Sequence, residues 1–558
     1  MIMKSTLRNW KWLSVLPVAA ASLMITPIPA ADWPQWGGTS TKNMSSNEKG
    51  LPWHFEAGER KRGTEEIDMA TTKDCRFVVK LGSQTYGTPT VGNGKILVGT
   101  NNEAPRDPRR VGDRGVVFAI DEKTGEFLWQ LVVPKLGAGK VSDWEFLGIC
   151  SSATIEGDRA YVITNRCQVV CLDLNGMKDG NQGFDGEAKY MADAGETPVE
   201  PSAIDADIVW VYDMREELGV FPHNIASSSV LIVGDKLFAT TSNGVDWTHL
   251  NIPSPQAPSL ICLNKNTGEL IGEEAAGVSK RVLHCSWSSP GYAVIGGTPM
   301  VTFGAGDGWC YGFDVATVKD DEGFDVLKEF WRYDCNPAEY RLDENGTPRK
   351  YAEDPEGPSE VVGTAVTYKD RVYVCVGQDP EHGPGVGMLS CIDATKRGDI
   401  TKGGAIWTFK GIERSMSTPS IVDDLLYVCD YAGRVFCLDA IDGKKYWEFD
   451  TKGHIWGSTL VADGKVYVAN EEGEVYILAA GKELKQLHMA EFPAPIYSSP
   501  VAANGVLYIA TQSHLYAFEN PKAAGGTAAA AAAKPIARKF DSERRLHGTG
   551  GAGDGGGS

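Results

Sequence analysis

One pattern recurs along the chain and leaves few folds open to it: a Ser/Thr-rich start, a β-branched strand, a Gly or Asp turn, a second strand, a loop, and an apolar strand ending in Asp. Its cleanest copy, STPSIVDDLLYVCDYAGRVFCLDAIDGKKYWEFD, occupies residues 417–450. Apolar residues alternate there with the two-residue period of strands, and the Asp-Asp, Ala-Gly and Asp-Gly pairs mark hairpin turns, so one copy reads as a four-stranded meander. That copy is anchored at Thr418, and the others at Thr88, Ser152, Ser229, Ser289, Thr364, Ser458 and Ser499. The shortest separations, Thr418 to Ser458 and Ser458 to Ser499, match the roughly 40-residue length of a propeller blade, and the longer ones carry loop insertions.

The copy at Ser499 stops after three strands, without the outer strand that other copies carry around Trp129, Trp331 and Trp447. A matching strand, CRFVVKL, stands alone at 75–81, ahead of the first copy. An open solenoid would leave both end sheets with bare edges, whereas a ring whose last sheet is completed by the N-terminal strand removes them. The expected fold is therefore all-β, an eight-bladed β-propeller of four-stranded antiparallel blades over 75–520, closed by an N-terminal strand and preceded by an extension over 32–74.

The flanks read differently. Residues 1–31 have the form of a secretory signal peptide, with Lys4, Arg8 and Lys11 before an apolar run from Trp12 to Ile28 and small residues Ala30 and Ala31 at the cleavage point. Pro17, Pro27 and Pro29 argue against retention of this stretch as a membrane anchor, and no Cys follows to take a lipid. A periplasmic or secreted protein with no transmembrane span after cleavage is expected. Residues 521–558 are rich in Ala and Gly with one basic cluster, and read as a disordered tail. The formal net charge is −19, and loss of the leader removes three basic residues and no acidic ones. Nucleic acid is accordingly excluded as the main partner, because that affinity comes from neutralising phosphates.

The segments VYVANEEGEVYILAA, RVFCLDAIDGKKYWEFD and GVVFAIDEKTGEFLWQ resemble the PQQ-like repeat of quinoprotein-like propellers, shared by pyrroloquinoline-quinone (PQQ) dehydrogenases and by the BamB-type scaffold of outer-membrane barrel assembly. The opening ADWPQWGG is similar to that of exported BamB-like propellers of planctomycete type. The resemblance implies either a binding scaffold or a quinone enzyme, since one fold serves both. The enzymes carry adjacent cysteines over the quinone, and no two of the 12 cysteines here are adjacent; the haem motif Cys-x-x-Cys-His is absent too. Cys171, Cys262, Cys391 and Cys437 occupy one repeat slot, filled elsewhere by Ala119, Gly312 and Ala517, and read as small core residues. The register sets Cys429 opposite Val435 rather than Cys437.

Register also predicts what faces the central channel. Two residues before the anchors stand Tyr86, Cys150, Ser227, Trp287, Val362, Met416, Trp456 and Tyr497. Four before stand Gln84, Gly148, Ile225, Cys285, Glu360, Arg414, His454 and Pro495, with His223 and His284 close by. Convergent aromatic and titratable groups suit a ligand site, but for Trp287 and Trp456 a plug that fills the channel is the favoured reading over a ligand platform. The candidate ligand-binding residues are Tyr86, His223, Trp247, Trp287, Glu360, Arg414, His454, Trp456 and Tyr497; no catalytic residue is assigned.

Two insertions complete the reading. Residues 176–207 are acidic and Gly-rich; Asp179, Asp185 and Glu187 offer oxygens suited to calcium but fit no EF-hand, so a solvated loop is expected. Residues 242–259 place Asp246, Trp247 and His249 beside a Pro-rich turn. His223, His249 and His284 fall in the third and fourth repeats, but scattered histidines are commonly hydrogen-bonded core or surface groups, and no metal is assigned. The favoured function is a non-catalytic scaffold whose loop faces hold an envelope protein, peptide or glycan, with no cofactor. The alternative is a PQQ- and calcium-dependent alcohol or sugar dehydrogenase, with Trp287 or Trp456 against the quinone and Glu360 or Asp246 near the reacting centre.

Overall fold

The computed structural model describes residues 31–351, 353–382 and 386–521. The expected leader and tail, apart from Ala31 and Pro521, lie outside them.

Each repeat begins as a tight hairpin. Thr90–Gly92 pairs with Lys95–Asn101 across Asn93 and Gly94, both at positive φ (49° and 74°). Asp463-Gly464 and Asn504-Gly505 turn in the same way. Two left-handed residues give the turn whose twist matches paired strands, which is why Asn-Gly and Asp-Gly stand there. A third and a fourth strand follow, so that Ser420–Val422, Leu425–Cys429, Arg434–Asp439 and Lys445–Asp450 form one antiparallel sheet in chain order.

The structure contains several such sheets. Thr90–Gly92 to Phe127–Pro134, Thr154–Glu156 to Asp207–Asp213, and Val366–Tyr368 to Ala405–Phe409 are each four-stranded. Leu460–Ala462 to Gln486–Glu491 gain a parallel edge strand at Ser45–Ser46. Two further four-strand sets, starting at Leu231–Val233 and Gly291–Ile295, are joined through the parallel pairing of Leu270–Glu274 with Asp325–Asp334. Cys75–Lys80 pairs antiparallel with His514–Glu519, supplying the fourth strand of the sheet that begins at Val501–Ala503. No helix among the described residues is long and apolar enough to cross a membrane.

A recurrent contact locks neighbouring sheets together. Trp129, Trp210, Trp407 and Trp447 on fourth strands lie opposite Ala119, Cys171, Cys391 and Cys437 on third strands. The small residue leaves room for the indole, whose N–H then donates to a carbonyl of the following repeat: Leu174, Lys265, Ala440 and Gly481 respectively. At Gly312, opposite Trp331, a Cβ would sit 2.3 Å from the indole nitrogen. The cysteine slot is thus a packing slot, and all twelve cysteines are free thiols. Cys429 does face Val435.

The N-terminal extension is a strap rather than a loose leader. Between Trp33 and Met44 it exchanges backbone hydrogen bonds with Val91, Ile155, Tyr292, Thr367, Pro419 and Val461, touching the start of six repeats. Beneath it Lys42 is fully buried, its Nζ donating to Gln35 Oε1 at 2.9 Å. Burial pushes this ammonium down to about 7 from 10.5.

Two predictions follow from this packing. Trp129→Ala removes a fully buried docking indole and is expected to cost about 3–5 kcal/mol in urea unfolding, against about 1 kcal/mol for an exposed substitution such as Leu484→Ala. For Lys42, the unfolded chain binds the proton more tightly than the folded one between pH 7 and 10.5, so folding stability contributed here rises with pH across that window. Lys42→Met should therefore be more stable than the parent at about pH 6, with the difference narrowing towards about pH 9.

Candidate functional site

The eight repeat anchors meet around one cavity. The backbone N–H of Ser152 donates to Ser229 Oγ (3.0 Å), Ser229 to Ser289 Oγ (2.8 Å), and Ser289 to Thr364 Oγ1 (3.3 Å). Thr364 continues to Thr418 Oγ1 (3.0 Å), Thr418 to Ser458 Oγ (2.9 Å), Ser458 to Ser499 Oγ (2.8 Å), and Ser499 to Thr88 Oγ1 (3.1 Å). Ser152 Oγ donates to the Thr88 carbonyl at 2.8 Å. Each anchor stands two residues before its first strand, outside the strand pairing, and at seven of the eight the next anchor's hydroxyl satisfies the backbone N–H.

These hydroxyls enclose a cavity of about 390 Å³. Its wall includes all eight anchors and all eight residues placed two positions before them. Tyr86 and Tyr497 stack at 4.8 Å, and Trp456 meets both edge-on at 6.0 and 5.4 Å. Trp456 donates its indole N–H to Glu471, and Trp287 to the Ile225 carbonyl. Trp36, from the N-terminal strap, also lines the cavity and donates to Thr364 Oγ1. The aromatics line the wall and leave space between them.

Of the nine candidate residues, Tyr86, Trp287, Trp456 and Tyr497 line this cavity, whereas His223, Trp247, Glu360, Arg414 and His454 do not. Positions four before an anchor lie in irregular loops, where a two-residue period no longer fixes side-chain direction; only Gln84 and Ile225 of that set reach the wall. Arg414 lies over the Tyr431 ring at 4.6 Å, and the exposed His454 stacks on the same ring at 4.3 Å. Trp247 projects outward, 73% exposed. Asp246 holds its own loop, accepting from Thr248 and Asn251. Glu187 in the acidic insertion is buried, accepting from Asn181 and from the Ile208 N–H, and serves that loop's structure.

His223 and Glu360 instead belong to a second cluster behind Trp287. His223, His249 and His284 offer ligand atoms all within 4.8 Å of one another. The His382 ring lies 4.4 Å from His249 and 4.9 Å from His284. Tyr351 donates to Glu360 Oε1 at 2.9 Å and approaches His284 Nδ1 at 3.2 Å. Burial drives His223 and His382 down to about 4 and raises Glu360 to about 8, so the imidazoles and this carboxyl are uncharged at neutral pH. Tyr351, His382 and Tyr431 carry no repeat signal, and sequence reading missed them.

A quinone cofactor is a test of the cavity wall. PQQ carries three carboxylates, yet the lining contains Glu145 and Asp379 and no Lys, Arg or His. Those anions would find no basic side chain to pair with, so the wall's own side chains offer the group no counter-charge.

The sheets, their hairpins and the shared cavity define a PQQ-like propeller fold built from repeats. A family model described as "Outer membrane protein assembly factor BamB" matches residues 67–271 and 387–519, more than half of the chain, and the chain belongs to that family. It is 27% identical over 108 residues to an outer membrane protein assembly factor BamB of Nitrosomonas eutropha, covering 19% of this chain and 26% of that protein. A BamB of Salmonella typhimurium is 36% identical over 70 residues, 11% of this chain and 18% of the relative. The chain thus matches about a quarter or less of these relatives' length. Among solved structures, a europium-containing methanol dehydrogenase shares the fold at TM-score 0.55 and 11% identity, covering 88% of this chain and 98% of that one.

The anchor hydroxyls yield a prediction. Ser289→Ala leaves the buried Ser229 N–H without its acceptor and is expected to lower unfolding free energy by about 1–3 kcal/mol. Ser289→Thr, which keeps the hydroxyl as at Thr364, should stay within about 1 kcal/mol of the parent in the same urea titration.

Proposed function

We propose that this protein is an exported, non-catalytic scaffold of the cell envelope, an eight-bladed ring closed by Cys75–Lys80 that binds a component of outer-membrane protein assembly. The pairing of Cys75–Lys80 with His514–Glu519 and the anchor hydrogen bonds that run from Ser152 back to Thr88 support the ring. The signal-like residues 1–31 support export to the periplasm. The observation that carries the scaffold reading is the cavity wall: hydroxyls and aromatics with two carboxylates and no basic side chain, a poor seat for the cofactor the enzymatic relatives of the fold use. Tyr86, Trp287, Trp456 and Tyr497 would then hold an uncharged or cationic group, such as part of a peptide or glycan. The exposed Trp247 and Leu250, 73% and 72% accessible, offer an apolar anchor on the loop face.

The test has two arms. The mature protein is mixed with PQQ and calcium, and dye-linked oxidation of alcohols and sugars is followed with quinone absorbance; no saturable binding at micromolar quinone is expected. In parallel, crosslinking in intact cells should capture an outer-membrane assembly component, with the yield falling several-fold in Trp247→Ala while its melting temperature is unchanged. Stoichiometric quinone binding with turnover would overturn the scaffold reading, as would an absence of any envelope crosslink.

A further inference from the structure

The histidine cluster behind Trp287 has a geometry that ordinary core packing leaves unexplained. His223 is 1% exposed and His284 is fully buried. Near the Nδ1 of His223 the Val245 carbonyl lies at 2.6 Å, an acceptor only, so Nδ1 carries the proton and Nε2 presents a lone pair. The Tyr351 hydroxyl already donates to Glu360, so its oxygen accepts from His284 Nδ1, and the His284 Nε2 is again a bare lone pair. Both Nε2 atoms are buried with no hydrogen-bond partner. Two buried acceptors turned into one cluster of imidazoles lack the donor or cation that would offset their loss of water.

The surroundings are those of ligating imidazoles. In metal sites the ring nitrogen away from the ion is held by a carbonyl or carboxylate, which fixes the tautomer and orientation. Here Val245 does this for His223, and the Tyr351–Glu360 pair does it for His284. His249 is set by a separate device: the Asp246 carboxylate accepts from Thr248 and Asn251 and holds the loop so that His249 adopts φ 59°, a region non-glycine residues rarely occupy.

We propose that His223, His249 and His284 form a binding site for a divalent first-row transition metal that favours imidazole nitrogen, of which Zn²⁺ is the type, with His382 or water at the fourth position. Three ligand atoms within 4.8 Å of one another place an ion at their centre within about 2.8 Å of each, so the usual Zn–N length of about 2.0–2.1 Å needs each ring to move by less than about 1 Å. The three ligands come from the third and fourth repeats, His249 on the 242–259 loop, so the ion would cross-link that loop to the propeller beside the cavity wall. The His284 ring touches Trp287 at 4.8 Å, and Trp287 lines the cavity.

The experiment uses the untagged mature chain, stripped with a chelator and titrated with Zn²⁺ against a chromophoric competitor. One ion per chain is expected, with a Zn²⁺-dependent rise in melting temperature that the chelator reverses, and Co²⁺ loading should give the visible bands of a tetrahedral nitrogen site. His249→Ala, in a half-buried loop position, and His284→Gln should each weaken Zn²⁺ binding at least tenfold. His488→Ala, outside the cluster, should leave it unchanged. Binding well below one ion per chain, or affinity undiminished in a His249→Ala chain that melts like the parent, would overturn the proposal.

Discussion

The hydrogen bonds from seven of the eight anchors' backbone N–H groups to the next anchor's side-chain hydroxyl are the constraint on which the rest of the structure depends. First strands such as Thr90–Gly92 and Leu460–Ala462 are only three residues long, and each anchor stands two residues ahead of its first strand, outside the strand pairing. A buried backbone N–H left without a partner costs free energy, and at the anchors neither the sheet nor the N-terminal strap supplies one. A short hydroxyl side chain bridges the gap at 2.8–3.3 Å from Ser152 through Thr88. Because Ser and Thr reach only one length, the bonds also fix the spacing of successive sheets around the axis. The Ser/Thr signature that marks each repeat in the sequence is therefore the record of this bond.

The outer radius is held by different chemistry. On the fourth strands an indole buries a large apolar face and still ends in an N–H that finds the next repeat's carbonyl. The pairing of a small residue with each indole follows, since Ala119, Cys391 and Cys437 must leave the volume that Trp129, Trp407 and Trp447 occupy. A buried cysteine in this slot is a matter of size, not of redox chemistry.

These two contacts explain how much could be read from the chain. The anchors and the residues two places before them were legible because the repeat imposes one environment at each, and all sixteen line the cavity. Glu360, Arg414 and His454 do not line the cavity, because they stand in loops whose side-chain direction no period controls. The N-terminal strap was invisible for a related reason. Trp36 and Lys42 are placed by contacts with repeats hundreds of residues away, as in the bond from Trp36 to Thr364, and no local pattern encodes them. Tyr351 and His382 lie in insertions, where composition marks only a turn-rich stretch.

That division bears on where chemistry can reside in such a protein. On the axis every position is under repeat constraint: it must be a hydroxyl to satisfy a neighbour or a side chain that tolerates the cavity wall. Charge is therefore sparse there, with Glu145 and Asp379 the carboxylates and no basic residue. Insertions carry no such obligation, because each leaves the sheet after its hydrogen bonds are made and returns before the next anchor. His249 and His382 enter the cluster from such segments, while His223 and His284 sit in the connections that precede the anchors Ser229 and Ser289. Their convergence joins three consecutive repeats, those anchored at Ser229, Ser289 and Thr364. The side chains with the richest coordination chemistry accordingly lie beside the axis, behind Trp287, rather than on it.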